Sequence, residues 1–251
     1  SLLMLKVDIK NISRTDQDNK IIVLRDIHFT IDPGKVYLIL GKNGSGKSTL
    51  IKSLTNLLNK NIFDIDGSVI WNDENILTVN EDKLILIRKN EIRYVLQDLT
   101  NNFDPLKNIK YYFDISGLSE EPISKQLKEL LLPDYKTISQ LYPYEISGGM
   151  AQRLSFLFAI LPKPKLIILD EPTSAIDYTN INLIKLKLDE HISLGNSALI
   201  VTQDIQFAER ISDEIAFLAN QTLTEFRTKE SFFTAPDPSY LKFIKTYNEL
   251  K

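Results

Sequence analysis

The stretch Gly41-Lys42-Asn43-Gly44-Ser45-Gly46-Lys47-Ser48 decides how this chain is read. It fits the phosphate-loop pattern G-x-x-x-x-G-K-[ST]. Val36-Tyr37-Leu38-Ile39-Leu40 before it is apolar and β-prone, and Thr49-Leu50-Ile51-Lys52-Ser53-Leu54 after it reads as helix. A strand, a glycine-rich loop and a helix in that order form a cradle for phosphate. Glycines at 41, 44 and 46 let the backbone curl so that successive N–H groups point inward. The helix starting near Lys47 adds its positive end. Lys47 supplies a compact cation for the β- and γ-phosphates, and Ser48 a hydroxyl for Mg²⁺. Residues Gly41, Lys42, Asn43, Gly44, Ser45, Gly46, Lys47, Ser48 and Thr49 are therefore the expected nucleotide-binding set.

The rest of the composition narrows what such a loop can serve. The chain has 251 residues, with a hydrophobic fraction of 43%, enough for a real core. Its 30 basic and 33 acidic residues nearly balance, which argues against a nucleic-acid binder. It has no cysteine, so disulfides and cysteine-ligated clusters are excluded. No apolar run approaches the roughly 18 residues of a membrane span, and no secretory signal is visible. The expected location is cytoplasmic, with other chains supplying any membrane part.

Working outward from the loop, strands are expected over residues 2–12, 21–24 and 27–31, with a polar loop at 14–20 and a turn at Asp32-Pro33-Gly34. The helix after the loop is expected to run to about Leu58. Further strands are predicted at 67–71, 92–96, 165–169, 197–202, 214–218 and 222–227, and helices at 80–89, 179–192 and 205–211. From Asp98 to about Leu161 the pattern is helical, broken by Pro105, Pro122, Pro133 and Pro143, with almost no strand signal. The expected fold class is α/β, with a mainly parallel sheet covered on both faces. The early strands predict an additional antiparallel sheet, and residues 98–161 an inserted helical subdomain. On this reading 1–97 and 162–228 form the core with its β subdomain, and 229–251 a helical tail.

Two more motifs carry chemistry. Lys165-Leu166-Ile167-Ile168-Leu169-Asp170-Glu171 is an apolar strand ending in two carboxylates, the place where open α/β sheets bind ligands. Asp170 is suited to hold Mg²⁺, and Glu171 to orient and polarise an attacking water. Ile146-Ser147-Gly148-Gly149-Met150-Ala151-Gln152-Arg153 opens a helix, with Ser147 as N-cap and bare N–H groups at Gly148 and Gly149. It reads as a second anion site. One chain cannot easily fold both onto one phosphate, so a dimer in which Ser147, Gly148 and Gly149 reach a partner's nucleotide is expected.

The phosphate loop, the Ser-Gly-Gly helix start and the Leu-Asp-Glu-Pro-Thr run to Thr173 resemble the ATP-binding subunits of ABC transporters, over nearly the whole chain. The resemblance implies a P-loop NTPase (RecA-like) core, an antiparallel β subdomain and a helical subdomain. It implies ATP and Mg²⁺ as cofactors, sandwiched between one subunit's loop and the other's signature helix. Gln97 stands where that family places a glutamine that ligates Mg²⁺ and senses the transmembrane partner. Ser174-Ala175-Ile176-Asp177 resembles the segment that communicates across the dimer. Transmembrane permease subunits, a second ATPase subunit and, indirectly, a solute-binding protein are the implied partners, at the inner face of the cell membrane. Asp104-Pro105, Tyr142-Pro143, Ser-Gly-Gly-Met and the tail Ala235-Pro236-Asp237-Pro238-Ser239-Tyr240-Leu241 are similar to the oligopeptide, dipeptide and nickel importer group. The histidine and cysteines that the group carries near its end are absent.

Two departures matter. Gln203, in Val201-Thr202-Gln203-Asp204, occupies the place of the switch histidine that contacts the γ-phosphate. Glutamine hydrogen-bonds but cannot become cationic. Slow or impaired hydrolysis at this chain's own loop is expected, with Glu171 and Gln203 as the catalytic pair. His28 and His191 read as surface or structural. The family also stacks adenine on an aromatic ahead of the loop. Here no Phe, Tyr or Trp precedes Phe29, and Arg14, Ile21 and Ile22 are offered instead, which predicts weak grip on the base. The leading expectation is an ATP-hydrolysing subunit that powers a membrane transporter, an importer of peptides or nickel-type solutes. A soluble ABC ATPase, for instance in cluster assembly, and a regulatory ATP-binding subunit with little turnover are the alternatives.

Overall fold

The computed structural model describes residues 4–16, 19–95, 103–172 and 178–249, and only the backbone of 178–180 and 248. Its centre is a sheet whose strands are apolar on both faces. Four of them are β3 (Val36–Leu40), β6 (Ile92–Val95), β7 (Leu166–Asp170) and β8 (Ser197–Thr202). Beside them lie β9 (Glu214–Ala219), β10 (Thr222–Leu223) and β11 (Arg227–Thr228). The order is β10-β9-β3-β8-β7-β6, with β11 also on β9. The pairs among β9, β3, β8, β7 and β6 are parallel; β10 and β11 run antiparallel to β9. The sheet is thus mixed rather than purely parallel.

The alternation of β3 shows why its sequence lacks polar positions. Val36, Leu38 and Leu40 enter one core with α6 (Gly148–Ile160), α7 (Tyr178–Ser193) and α8 (Ile205–Ile211). Tyr37 and Ile39 enter another, shared with α1 (Lys47–Ser53) and the antiparallel sheet. A parallel strand covered on both sides reads as one continuous apolar run.

The second sheet is antiparallel, with β1 (Leu5–Asp16), β2 (Asn19–Ile31), β4 (Phe63–Trp71) and β5 (Glu74–Asn75) in the order β2-β1-β4-β5. Three expectations are corrected here. Residues 14–16 and 19–20 are strand, not loop: Arg14 pairs Ile21, Thr15 pairs Lys20 and Asp16 pairs Asn19 across an extended hairpin. The two segments expected at 21–24 and 27–31 form one strand, whose Asp26 takes a positive φ of 51°. And α1 ends at Ser53, short of Leu58. In the first two cases ladder hydrogen bonds to a neighbouring strand override polar composition.

Between β6 and β7 the described chain holds α3 (Ile109–Ser116), α4 (Glu120–Glu129), α5 (Tyr135–Ile138), a 3-10 turn at Pro143–Glu145 and α6, with no strand among the described residues. Asn108 and Asp134 cap their helices by accepting from Tyr111 and Thr137 N–H groups, as short polar side chains do. α2 (Glu81–Asn90) starts on the same device, with Asn80 accepting from Lys83. Lys187 of α7, almost wholly buried, ties that helix to α4 through Glu129 and bonds Glu190 at 2.8 Å.

The tail makes α9 (Lys229–Thr234) and α10 (Leu241–Glu249). Phe232 stacks on Tyr240 with ring centres 4.2 Å apart, and Phe217 of β9 meets both Tyr240 and Phe243. Tyr247 donates to Glu209 at 2.8 Å. The tail therefore packs into the core.

The two histidines differ. His28 is exposed on β2, its Nδ1 2.9 Å from Asp8. His191 is 5% exposed, and burial pushes its pKa down to about 4. No helix among the described residues is long and apolar enough to cross a membrane.

Candidate ATP site

The sheet order places the candidate site. β3, β8 and β7 are adjacent and parallel, so their carboxyl ends lie side by side. Those ends carry Gly41, Thr202-Gln203 and Asp170-Glu171. Gly41 N–H donates to the Thr202 carbonyl at 3.2 Å, and Glu171 N–H to the Val201 carbonyl at 2.9 Å. Residues about 130 and 160 positions apart in sequence thus meet at one sheet edge, where ligands enter open α/β folds.

The loop keeps its shape through two glycines. Gly46, at the N-cap of α1, has φ 101°, and a Cβ there would sit 2.8 Å from Leu24 Cδ2. A Cβ on Gly41 would meet Ser45 Oγ at 2.7 Å and the Leu218 carbonyl at 2.8 Å. A non-glycine residue at 46 would face both strain and a clash.

Lys47 is 5% exposed and curls back over the loop, donating to the Gly41 carbonyl at 2.8 Å and the Lys42 carbonyl at 3.0 Å. Its ammonium also lies 3.2 Å from Glu171 Oε1. Glu171, itself buried, holds a left-handed backbone with φ 47°. Non-glycine residues rarely accept that conformation, and such outliers collect at functional sites. Its other oxygen, Oε2, accepts from Thr202 Oγ1 at 3.0 Å and from Gln203 N–H at 3.2 Å. Asp204 N–H donates to the Thr202 hydroxyl oxygen at 3.0 Å, which leaves the hydroxyl proton for Glu171. The carboxylate is therefore held by a cation on one oxygen and two donors on the other. The bond from residue 203 comes from its backbone, so it does not depend on that side chain.

Asp170 sits beside this pair. Ser48 Oγ donates to its Oδ1 at 3.1 Å, and the Tyr94 hydroxyl to its Oδ2 at 3.0 Å. Burial raises the Asp170 pKa, against the pull of those two donors. Burial also pushes the Tyr94 phenol up, so it remains a donor. A hard divalent cation takes oxygen ligands, and a serine hydroxyl facing a buried aspartate fits Mg²⁺. The residues present therefore suit the metal that a nucleotide triphosphate brings with it.

The remaining expected site residues are spread over several surroundings. Lys42, Asn43, Gly44 and Ser45 line a cavity of about 640 Å³ with Gln203 and the flank of α10. Ser147, Gly148 and Gly149 are not among its lining residues. Ser147 caps α6 by accepting from Met150 N–H at 3.3 Å, and Ser147 and Gly148 are exposed. Arg14 bonds Asp16 at 3.1 Å, while Ile21 and Ile22 stand exposed on β2. Gln97, Thr173 and residues 174–177 lie outside the described residues.

Sequence reasoning missed Tyr94, Thr202 and Gln152. Thr202 left a signal, a polar residue ending an otherwise apolar strand. Tyr94 left none, because its hydroxyl acts on a residue 76 positions away. Gln152 Nε2 donates to the Pro172 carbonyl, joining α6 to the segment just after Glu171.

Comparison with known proteins agrees with this arrangement. A family model described as ABC transporter matches residues 24–174. The metal-staphylopine import system ATP-binding protein CntD of Staphylococcus aureus is 32% identical, over 96% of this chain and 92% of its own length. The oligopeptide transport ATP-binding protein OppD of Haemophilus influenzae is 30% identical, over 93% of this chain and 76% of its own. Among solved structures, the dimeric bacterial ABC transporter cassette MJ0796 superposes with a TM-score of 0.74 at 26% identity, covering 90% of this chain and 99% of that one. With the loop, the paired carboxylates and the match all in one frame, the chain belongs to the ATP-binding proteins of the ABC transporter family.

Proposed function

We propose that this chain is the ATP-hydrolysing, energy-coupling subunit of a membrane importer, for peptides or for small metal-chelating solutes. The observation that carries the activity is the pair of contact sets, Lys47–Glu171–Thr202 and Ser48–Asp170, set side by side at one sheet edge. Support for import comes from relatives whose names describe metal-staphylopine, oligopeptide and methionine import.

The chemistry follows from the geometry. A bound γ-phosphate competes with Glu171 for Lys47, because the ammonium is drawn to the larger negative charge. Glu171 Oε1 is then free to take a proton from an attacking water while Thr202 and Gln203 N–H keep Oε2 in place. Mg²⁺, bound between Ser48 and Asp170, would neutralise charge on the β- and γ-phosphates. Gln97 would add a ligand to it. The exposed Ser147 and Gly148, with the half-buried Gly149, would serve a second ATPase subunit's nucleotide, and that subunit's signature helix would close this one.

A groove of about 660 Å³ between β6 and the helices of 98–161 is lined by Tyr94, Phe103, Tyr112, Ile115 and Phe158. A permease segment would dock there, holding the chain peripherally at the inner face of the membrane, with a solute-binding protein delivering cargo from the other side.

A second reading, an ATP-binding regulatory subunit with little turnover, is favoured by Gln203. Losing one positioned polar group costs about 10²–10³ in rate. Gln203→His in the paired complex is expected to raise kcat by up to that factor, with KM for ATP changed less. A steady-state ATPase assay showing no rise would place the control of turnover elsewhere.

A further inference from the structure

Asp170 divides its two oxygens between different neighbours. Oδ1 faces the Ser48 hydroxyl at 3.1 Å, and Oδ2 accepts the Tyr94 hydroxyl at 3.0 Å. Asp170 is 4% exposed, so turning its plane away from these two donors would leave its oxygens buried without them. The terminal torsion of an aspartate is broad, and a half-turn merely exchanges two equivalent oxygens, so what must be held is the plane of the carboxylate. The Tyr94 hydroxyl holds it from β6, the strand paired with β7. The register places Tyr94 opposite Ile168, and the long phenol reaches to the strand's end. Tyr94 packs against the apolar cluster shared by α1 and the antiparallel sheet, so packing limits its movement.

We propose that Tyr94 is a positioning residue for the metal-binding carboxylate. Its hydroxyl fixes the orientation of Asp170 that presents Oδ1 beside Ser48, and thereby sets how readily Mg²⁺ is taken up with ATP. The proposal rests on the reading that Ser48 and Asp170 hold Mg²⁺. Groups that orient a ligating carboxylate without touching the metal typically contribute about 10–100-fold in metal affinity or activity. Tyr94→Phe keeps the ring and removes only the hydroxyl, so the effect on Mg²⁺ is separable from packing.

The test is binding, not turnover. On a Glu171→Gln background, a fluorescent ATP analogue is held at fixed concentration and titrated with Mg²⁺, and its binding is measured again in EDTA. Tyr94→Phe is expected to raise the half-saturating Mg²⁺ about tenfold and to leave binding in EDTA unchanged. Asp170→Asn, run alongside, is expected to raise it at least as much. If Asp170→Asn leaves the Mg²⁺ dependence unchanged, the metal-site reading fails. If Asp170→Asn shifts it and Tyr94→Phe does not, the metal site stands and the positioning role is overturned. Impairment only in Tyr94→Leu, with Tyr94→Phe behaving as wild type, would reduce Tyr94 to packing and overturn the proposal equally.

Discussion

Replacing Glu171 by glutamine is expected to lower kcat for ATP hydrolysis by about 10²–10⁴-fold, the usual contribution of a general base, while MgATP stays bound. The amide oxygen can still accept from Thr202 Oγ1 and Gln203 N–H, the two donors on Oε2. What it cannot do is take the proton from water. The ion pair with Lys47 is also lost, but on the proposed mechanism that ammonium turns to the phosphates once ATP binds, so affinity should change only a few-fold. Single-turnover hydrolysis and equilibrium binding on the same preparation separate the two effects. A variant that turned over at the wild-type rate would remove Glu171 from its role and leave Asp170 as the nearest carboxylate.

Lys47→Ala should act on the other quantity. Its ammonium is buried and already desolvated, held by two loop carbonyls and Glu171. Truncating one partner of a buried charge pair costs about 2–5 kcal/mol, which predicts a loss of MgATP affinity of roughly 30- to several-thousand-fold. The apo protein should also become less stable, since Glu171 loses its counter-charge in a closed site. Fluorescence titration reads the first effect and denaturant unfolding the second. Binding within threefold of wild type would show that the loop grips phosphate through its backbone alone.

Much of this candidate site is legible in the sequence. The phosphate loop is legible because its glycines, Lys47 and Ser48 each answer a local demand, close together in sequence. Asp170 and Glu171 are legible because a fully apolar strand ends in two acids. The Ser147 cap is legible for the same local reason. The strand pairing of residues 14–16 with 19–21 is not, because it rests on cross-strand pairs such as Arg14 with Ile21 rather than on apolar alternation. Tyr94 and Thr202 were not, because each works on a carboxylate brought alongside only by the order of the parallel strands. The sequence shows why Gly46 suits the curl of the loop, but not that Leu24, packed against it, also leaves no room for a side chain. Leu24 carried no sign of that role, because the contact crosses from the antiparallel sheet to the loop.

The dimeric half-site is the central claim, and one chain displays only its two separate halves. Ser147 and Gly148 stand exposed at the start of α6, while the loop with Lys47 lies at the sheet edge. Sedimentation of the Glu171→Gln chain, alone and mixed with the second ATPase subunit proposed for it, tests it most directly. ATP is predicted to drive pairing, and Ser147→Arg to abolish that pairing while its own loop still binds ATP. Pairing that ignored ATP, or that survived Ser147→Arg intact, would contradict the account.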